Sequence, residues 1–158
     1  AEVGTQTHKI IEDYVRTGLF NFDSNSEACL FAQQIIPHLD TMDVKLSEKV
    51  VYSQLGYAGR IDLLVKEPSG QYCVVDIKTT TARQPNLNSY KMQLAAYSNA
   101  VCERARIPSC TGKILLARRD SLTVIDYCLT DIELNFGYFL NELYNFYQDN
   151  GLKIPEIV

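Results

Sequence analysis

From Lys49 to Thr79 the chain reads as three apolar strands in immediate succession. "KVVYSQLG" (Lys49–Gly56), "GRIDLLVK" (Gly59–Lys66) and "YCVVDIKT" (Tyr72–Thr79) are rich in β-branched and aliphatic residues. The joints are the short "GYAG" and the turn "EPSGQ", both built from residues that favour reversal. Connections this short permit only antiparallel neighbours, so the rest of the chain must pack around a three-stranded meander. Two of the strands nonetheless carry charge. Asp62 sits in the second, and Asp76 and Lys78 sit in the third. Side chains alternate along a strand, so Tyr72, Val74, Asp76 and Lys78 share one face and Cys73, Val75 and Ile77 the other. Asp76 and Lys78 are then neighbours, about 7 Å apart at their α-carbons, and Asp62 can reach the same end of the sheet.

The flanks have helical periodicity. Val3–Val15 spaces Ile10, Ile11, Tyr14 and Val15 along one face. Ser24–Leu39 opens on Ser24 and Glu27 in a capping-box pattern, and Pro37 kinks or ends that helix. Asn86–Ala105 is a third helix. Gly112–Arg119 and Leu122–Leu129 are two further strands. Thr130 and Glu133 form another capping box, opening a last helix expected to bury Ile132, Phe136, Phe139, Leu140, Leu143 and Phe146. The expected fold is α/β, a mixed sheet of about five strands flanked by helices. Residues 1–158 are read as one domain, with no repeat or linker to divide them.

Net charge is −4, which alone argues against a nucleic-acid partner. Its distribution argues the other way. Residues 78–119 carry 8 basic groups against the single acid Glu103, between two acidic flanks, which reads equally as a track for a polyanion and as a solvated surface that balances its neighbours. The five cysteines are odd in number and form no CxxC pair, so free thiols in a reducing compartment are expected. No apolar run approaches the roughly 20 residues of a membrane helix, and no signal peptide follows Ala1.

Two carboxylates in a small volume repel, and one is driven towards protonation unless a cation intervenes. Oxygen ligands suit Mg²⁺ or Mn²⁺. Such an ion lowers the pKa of a water and draws charge from a phosphate, while a lysine beside it stabilises growing negative charge. Taken alone, Asp-x-Lys is common and is more often an ion pair at a strand edge than a catalytic pair.

The surroundings of the motif resemble the PD-(D/E)xK nuclease superfamily, in the branch similar to the RecB nuclease domain. Gly56-x-x-Gly59-x-x-Asp62 is followed by hydrophobic-Asp76-x-Lys78, with Ile61 where the literal proline would stand. "GTQTH" (Gly4–His8) is similar to the branch's Gly-Thr-x-x-His, and "QLAAY" (Gln93–Tyr97) to its Gln-x-x-x-Tyr. The layout is similar to the mitochondrial genome maintenance exonuclease and phage counterparts.

The resemblance implies a restriction-endonuclease-like core and a metal-dependent DNA exonuclease, acting on single-stranded ends. It implies Asp62, Asp76, His8 and the Ile77 carbonyl as metal ligands, with Lys78 assisting the attacking water. The nitrogen ligand tilts preference from Mg²⁺ towards Mn²⁺. Gln93 and Tyr97, four apart on one helix face, would contact DNA. Arg83, Lys91, Arg118 and Arg119 are generic phosphate contacts, and Glu12 and Glu48 are minor candidates near the metal. An iron–sulfur cluster is not expected, because Cys102, Cys110 and Cys128 are widely spaced. The expected setting is intracellular (bacterial or phage-infected cytoplasm, or mitochondrial matrix), with replication or recombination proteins as possible partners. Two alternatives stay open: a structure- or sequence-specific endonuclease on the same site, and a catalytically silent nucleic-acid-binding scaffold.

Overall fold

The structure is a computed structural model and describes residues 2–156. In chain order the elements are α1 (Glu2–Thr17), α2 (Glu27–Leu39), β1 (Asp43–Ser53), β2 (Tyr57–Lys66), β3 (Tyr72–Thr79), α3 (Asn88–Ala105), β4 (Cys110–Ala117), β5 (Leu122–Tyr127) and α4 (Leu129–Asp149). The five strands lie in sequence order. All neighbours are antiparallel except β3 and β4, which run parallel because α3 carries the chain back between them. The expected α/β class and mixed five-stranded sheet are therefore present.

Helices cover both faces. Ile11 of α1 and Phe31, Ala32 and Ile35 of α2 pack on Leu63, Val65, Cys73, Val75 and Ile77. Leu94, Ala100 and Val101 of α3 pack on Leu64, Val74, Ile114 and Leu116 on the other face. Alanines at 95, 96 and 100 let α3 lie close to the sheet, and all three are buried. Gly112 serves the same contact, because a Cβ there would stand 2.7 Å from Leu94.

The elements sit where the sequence places them, but several ends differ. The cap of α2 is Ser26, whose hydroxyl accepts from the Cys29 N–H at 3.3 Å; Ser24 and Glu27 make no capping box. Pro37 lies within the last turn of α2, which ends at Leu39. α4 begins earlier than expected. The Asp131 carboxylate accepts from the Cys128 N–H at 3.1 Å, displacing the Thr130–Glu133 pair. The β1–β2 turn is closed by Gly56 N–H donating to the Ser53 carbonyl at 3.0 Å, and β2 starts at Tyr57. Gly56 has φ +94°, which glycine adopts freely. No residue of α4 is fully buried, and Leu140 and Phe146 face solvent instead of the core. α4 is the outermost element on its side, so only one stripe of it finds a partner.

Candidate active site

β2 and β3 part company at the charged residues. Their ladder pairs Leu63 with Val75, Leu64 with Val74, Val65 with Cys73 and Lys66 with Tyr72, and then stops. The next pair in register would be Asp62 and Asp76. There the Asp62 carboxylate replaces the partner strand, and its Oδ2 accepts from the Ile77 N–H at 2.7 Å. The alternation of β2 breaks at the same place: Ile61 and Leu64 face α3, whereas Leu63 and Val65 face α2. β3 continues to Thr79 because β4 still pairs with it. A notch opens between two strands of an otherwise closed sheet.

α1 fills one side of the notch. Thr7 and Ile11 anchor the helix in the core, which leaves His8 pointing at the end of β3. Its Nε2 lies 2.8 Å from the Ile77 carbonyl oxygen and its Nδ1 lies 3.2 Å from Asp62 Oδ1. Hydrogen bonding to Asp62, only partly opposed by burial, raises the His8 pKa and favours imidazolium. β1 adds Glu48. The flanking pairs Ser47–Leu63 and Lys49–Ile61 put it opposite Asp62, and its backbone has φ +49°. His8, Glu48 and Asp62 each offer one ligand atom, all within 4.8 Å of one another. Arg60 pairs with Glu48 from outside, Nε to Oε2 at 2.9 Å.

Asp76 and Lys78 line the opposite side, facing α3. Asp76 is 6% exposed, and its Oδ2 has no hydrogen-bond partner. Lys78 Nζ stands 3.4 Å from that oxygen, near enough for charge attraction but not aligned as a hydrogen bond. Burial, then the charge of Asp62, pushes the Asp76 carboxyl up to about 7. Burial also opposes ionisation of Asp62, but His8 and the Ile77 N–H outweigh it and hold that carboxyl low. Burial, then Asp62, raises Glu48.

Lys78 is held from three directions. Besides Asp76, it donates to Gln93 Oε1 at 3.3 Å and lies over the Tyr90 ring, 4.6 Å from its centroid. Gln93 in turn donates to the Tyr97 hydroxyl at 3.0 Å. A Cβ on Gly59 would stand 2.2 Å from the Tyr97 ring, so the glycine of Gly-x-x-Gly-x-x-Asp makes the seat for that tyrosine.

The structure thus gathers His8, Asp62, Asp76, the Ile77 carbonyl, Lys78, Gln93 and Tyr97 into one cluster. Glu48, expected before the first strand, lies within β1 and completes a three-ligand group that does not include Asp76. Glu12 is half-buried on α1, close enough for its charge to act on Glu48. The other basic residues lie apart. Lys91 lines a separate groove between α3 and α4, with Asp126, Asp131 and Glu142. Arg118 donates to the backbone carbonyls of Ala82 and Arg83, which ties down the segment after β3. Arg119 pairs with Glu27 of α2. Arg83 is exposed in that same segment. Tyr90 escaped the sequence reading; its only signal was its place three residues before Gln93, on the same helix face.

A family model of the PD-(D/E)XK nuclease superfamily matches residues 25–122, more than half of the chain. The chain belongs to the PD-(D/E)XK nuclease superfamily. The matched span of this nuclease contains Asp62, Asp76, Lys78, Gln93 and Tyr97 and leaves α1, with His8, outside. The crystal structure of a "putative exonuclease" from Eubacterium rectale is similar to it, with TM-score 0.61 and 13% identity over 98% of this chain and 70% of that one. The likeness shows the restriction-endonuclease-like fold. A second crystal structure, of SSO0001, has 14% identity and TM-score 0.44 over 87% of this chain and 73% of that one, too distant to bear on the fold. No relative is found among curated proteins. Among the described residues no helix is long and apolar enough to cross a membrane.

Proposed function

We propose that the chain is one metal-dependent deoxyribonuclease domain that works as an exonuclease on single-stranded ends. The observation that carries this reading is the notch itself. A buried carboxylate oxygen without a donor, a second carboxylate, Glu48 and an imidazole converge where β2 and β3 separate. The site fits a divalent cation, because like charges placed this way repel in its absence. His8, Glu48 and Asp62 would hold the ion, with Asp76 and the Ile77 carbonyl beside them. The mix of oxygen ligands with one nitrogen suits Mg²⁺ and, better, Mn²⁺. When bound, the ion would supply charge neutralisation at the phosphate and a more acidic water.

The residues of the chain do the rest. Lys78 holds its ammonium against Asp76 and presents positive charge to a phosphate entering the notch. Gln93 and Tyr90 fix that ammonium from the α3 side. In the hydrolysis a water oxygen bonds to phosphorus, the bond to the 3′ oxygen breaks, and that oxygen takes a proton. The products carry a 3′-hydroxyl and a 5′-phosphate. The order of the four motifs supports the RecB-like branch, and the Eubacterium rectale neighbour, described as a "putative exonuclease", supports action at ends.

The test is Lys78→Ala on an end-labelled single-stranded oligonucleotide with Mn²⁺. Turnover is expected to fall by about 10²–10³ or more, as for loss of a group that stabilises developing charge, while Mn²⁺ binding by calorimetry persists. Undiminished cleavage by the variant overturns the mechanism. Equal cutting of a circular single strand overturns the exonuclease reading in favour of an endonuclease.

A further inference from the structure

α4 leaves a groove where it passes the β1–β2 hairpin. The groove has a volume of about 680 Å³, within the range of ligand sites. Its walls include Tyr57, Met92, Gln93, Tyr97, Phe139 and Phe146. The floor is rigid. Tyr57 and Phe139 meet edge to face with centroids 4.7 Å apart, and the Tyr57 hydroxyl donates to the Ala96 carbonyl at 2.7 Å. Tyr147 donates to the Gly56 carbonyl at 2.6 Å, which fastens α4 to the hairpin. Phe146 stands on the rim, 55% exposed, where its ring contributes little to the core.

Two facts say what such a groove takes. Gln93 and Tyr97 belong to it and also to the hydrogen-bonded chain that ends on Lys78, so the groove borders the proposed catalytic cluster. Among its described lining residues the only charged one is Glu142, an acid. Phosphate is therefore repelled, whereas flat rings with exocyclic amino groups find aromatic faces and an acceptor. A substrate that offers both a phosphate for the notch and a flat ring for the groove is a nucleic-acid strand with free bases.

We infer that this groove receives the unstacked bases of a single-stranded nucleic acid whose phosphate lies at the Asp62–Lys78 cluster. The inference rests on the nuclease reading and supplies the physical source of its strand preference. In a duplex the base faces are already stacked, so the groove has nothing to bind and a single strand is favoured.

The test measures binding, by fluorescence anisotropy with Ca²⁺ present, of a labelled oligodeoxycytidylate, the same backbone with its bases removed, and a duplex. Phe146→Ala should weaken binding of the oligodeoxycytidylate about tenfold, the usual scale of one lost stacking contact. It should leave the abasic strand and the duplex unchanged, and Phe146→Trp should restore affinity. Equal weakening on base-bearing and abasic strands overturns the inference, as does no weakening at all. The two readings fail separately. A protein that grips bases through Phe146 but never cuts sinks the nuclease proposal and leaves the groove standing. One that cuts normally and ignores Phe146 does the reverse.

Discussion

β2 and β3 treat their two halves differently. From Leu63 to Lys66 and from Tyr72 to Val75 the strands exchange backbone hydrogen bonds, and Leu63, Leu64, Val65, Cys73, Val74 and Val75 are all buried. One residue further, the ladder gives way to an Asp62 side chain, an imidazole and a carboxylate oxygen with no donor. The laddered half gains from every buried methylene, roughly 0.8 kcal/mol each. The notched half pays to hide charge that nothing in the chain fully satisfies. The packed core and the proposed site are thus separated by a single step along the same two strands.

That separation can be broken from either side. The largest expected effect on stability comes from the laddered half. Leu63→Ala should lower the unfolding free energy by about 2–5 kcal/mol, the usual range for a buried leucine. Cleavage per folded molecule should hold below the melting transition. Urea titration with activity measured in parallel checks both, and a loss under about 1 kcal/mol would place Leu63 outside the core.

Gly59→Ala tests the border between the halves. Its new methyl meets the Tyr97 ring, so a cost of about 1–3 kcal/mol is expected from overpacking. A drop in turnover should accompany it as Tyr97 and Gln93 shift. Unchanged turnover would mean that Tyr97 is not needed where it sits.

The smallest and most selective effect concerns the notch. Asp76 keeps its proton up to about pH 7 when folded and releases it near the ordinary value of 3.8 when unfolded. The folded state therefore binds more protons across that interval, and metal-free stability should fall as pH rises from about 4 to about 7. His8, whose pKa is also raised, favours the folded state at low pH and loses that contribution as it deprotonates. Asp62, held low, acts only in more acidic solution. Asp76→Asn should remove the Asp76 part of the decline and leave that of His8. Denaturation in EDTA at about pH 5 and about pH 8 reads the difference. A variant whose pH dependence matches the parent would show that Asp76 is ionised without cost.

Much of the fold was legible because it rests on local pattern. The strand runs, the Pro-Ser-Gly turn and the helix periodicities each declare themselves within a dozen residues. So does the sharing of a face by Asp76 and Lys78, which follows from the period of two. The caps were misread because Ser24 and Ser26 satisfy the same local rule, whereas Cys128 is not a favoured cap residue and is selected over Thr130 only by the packed chain. The burial of Leu140 and Phe146 was misjudged for a related reason. A wide apolar stripe shows that a helix has something to bury, not how much partner it will find.

By itself the sequence determined the meander, the α/β class and the set of residues proposed for metal-assisted chemistry. Tertiary structure decided the rest: that Glu48 stands opposite Asp62, that Lys91, Arg118 and Arg119 are directed elsewhere, and that an aromatic groove shares Gln93 and Tyr97 with the cluster around Lys78. These contacts join residues far apart in the chain, and no local periodicity carries information about which distant surface a side chain will meet.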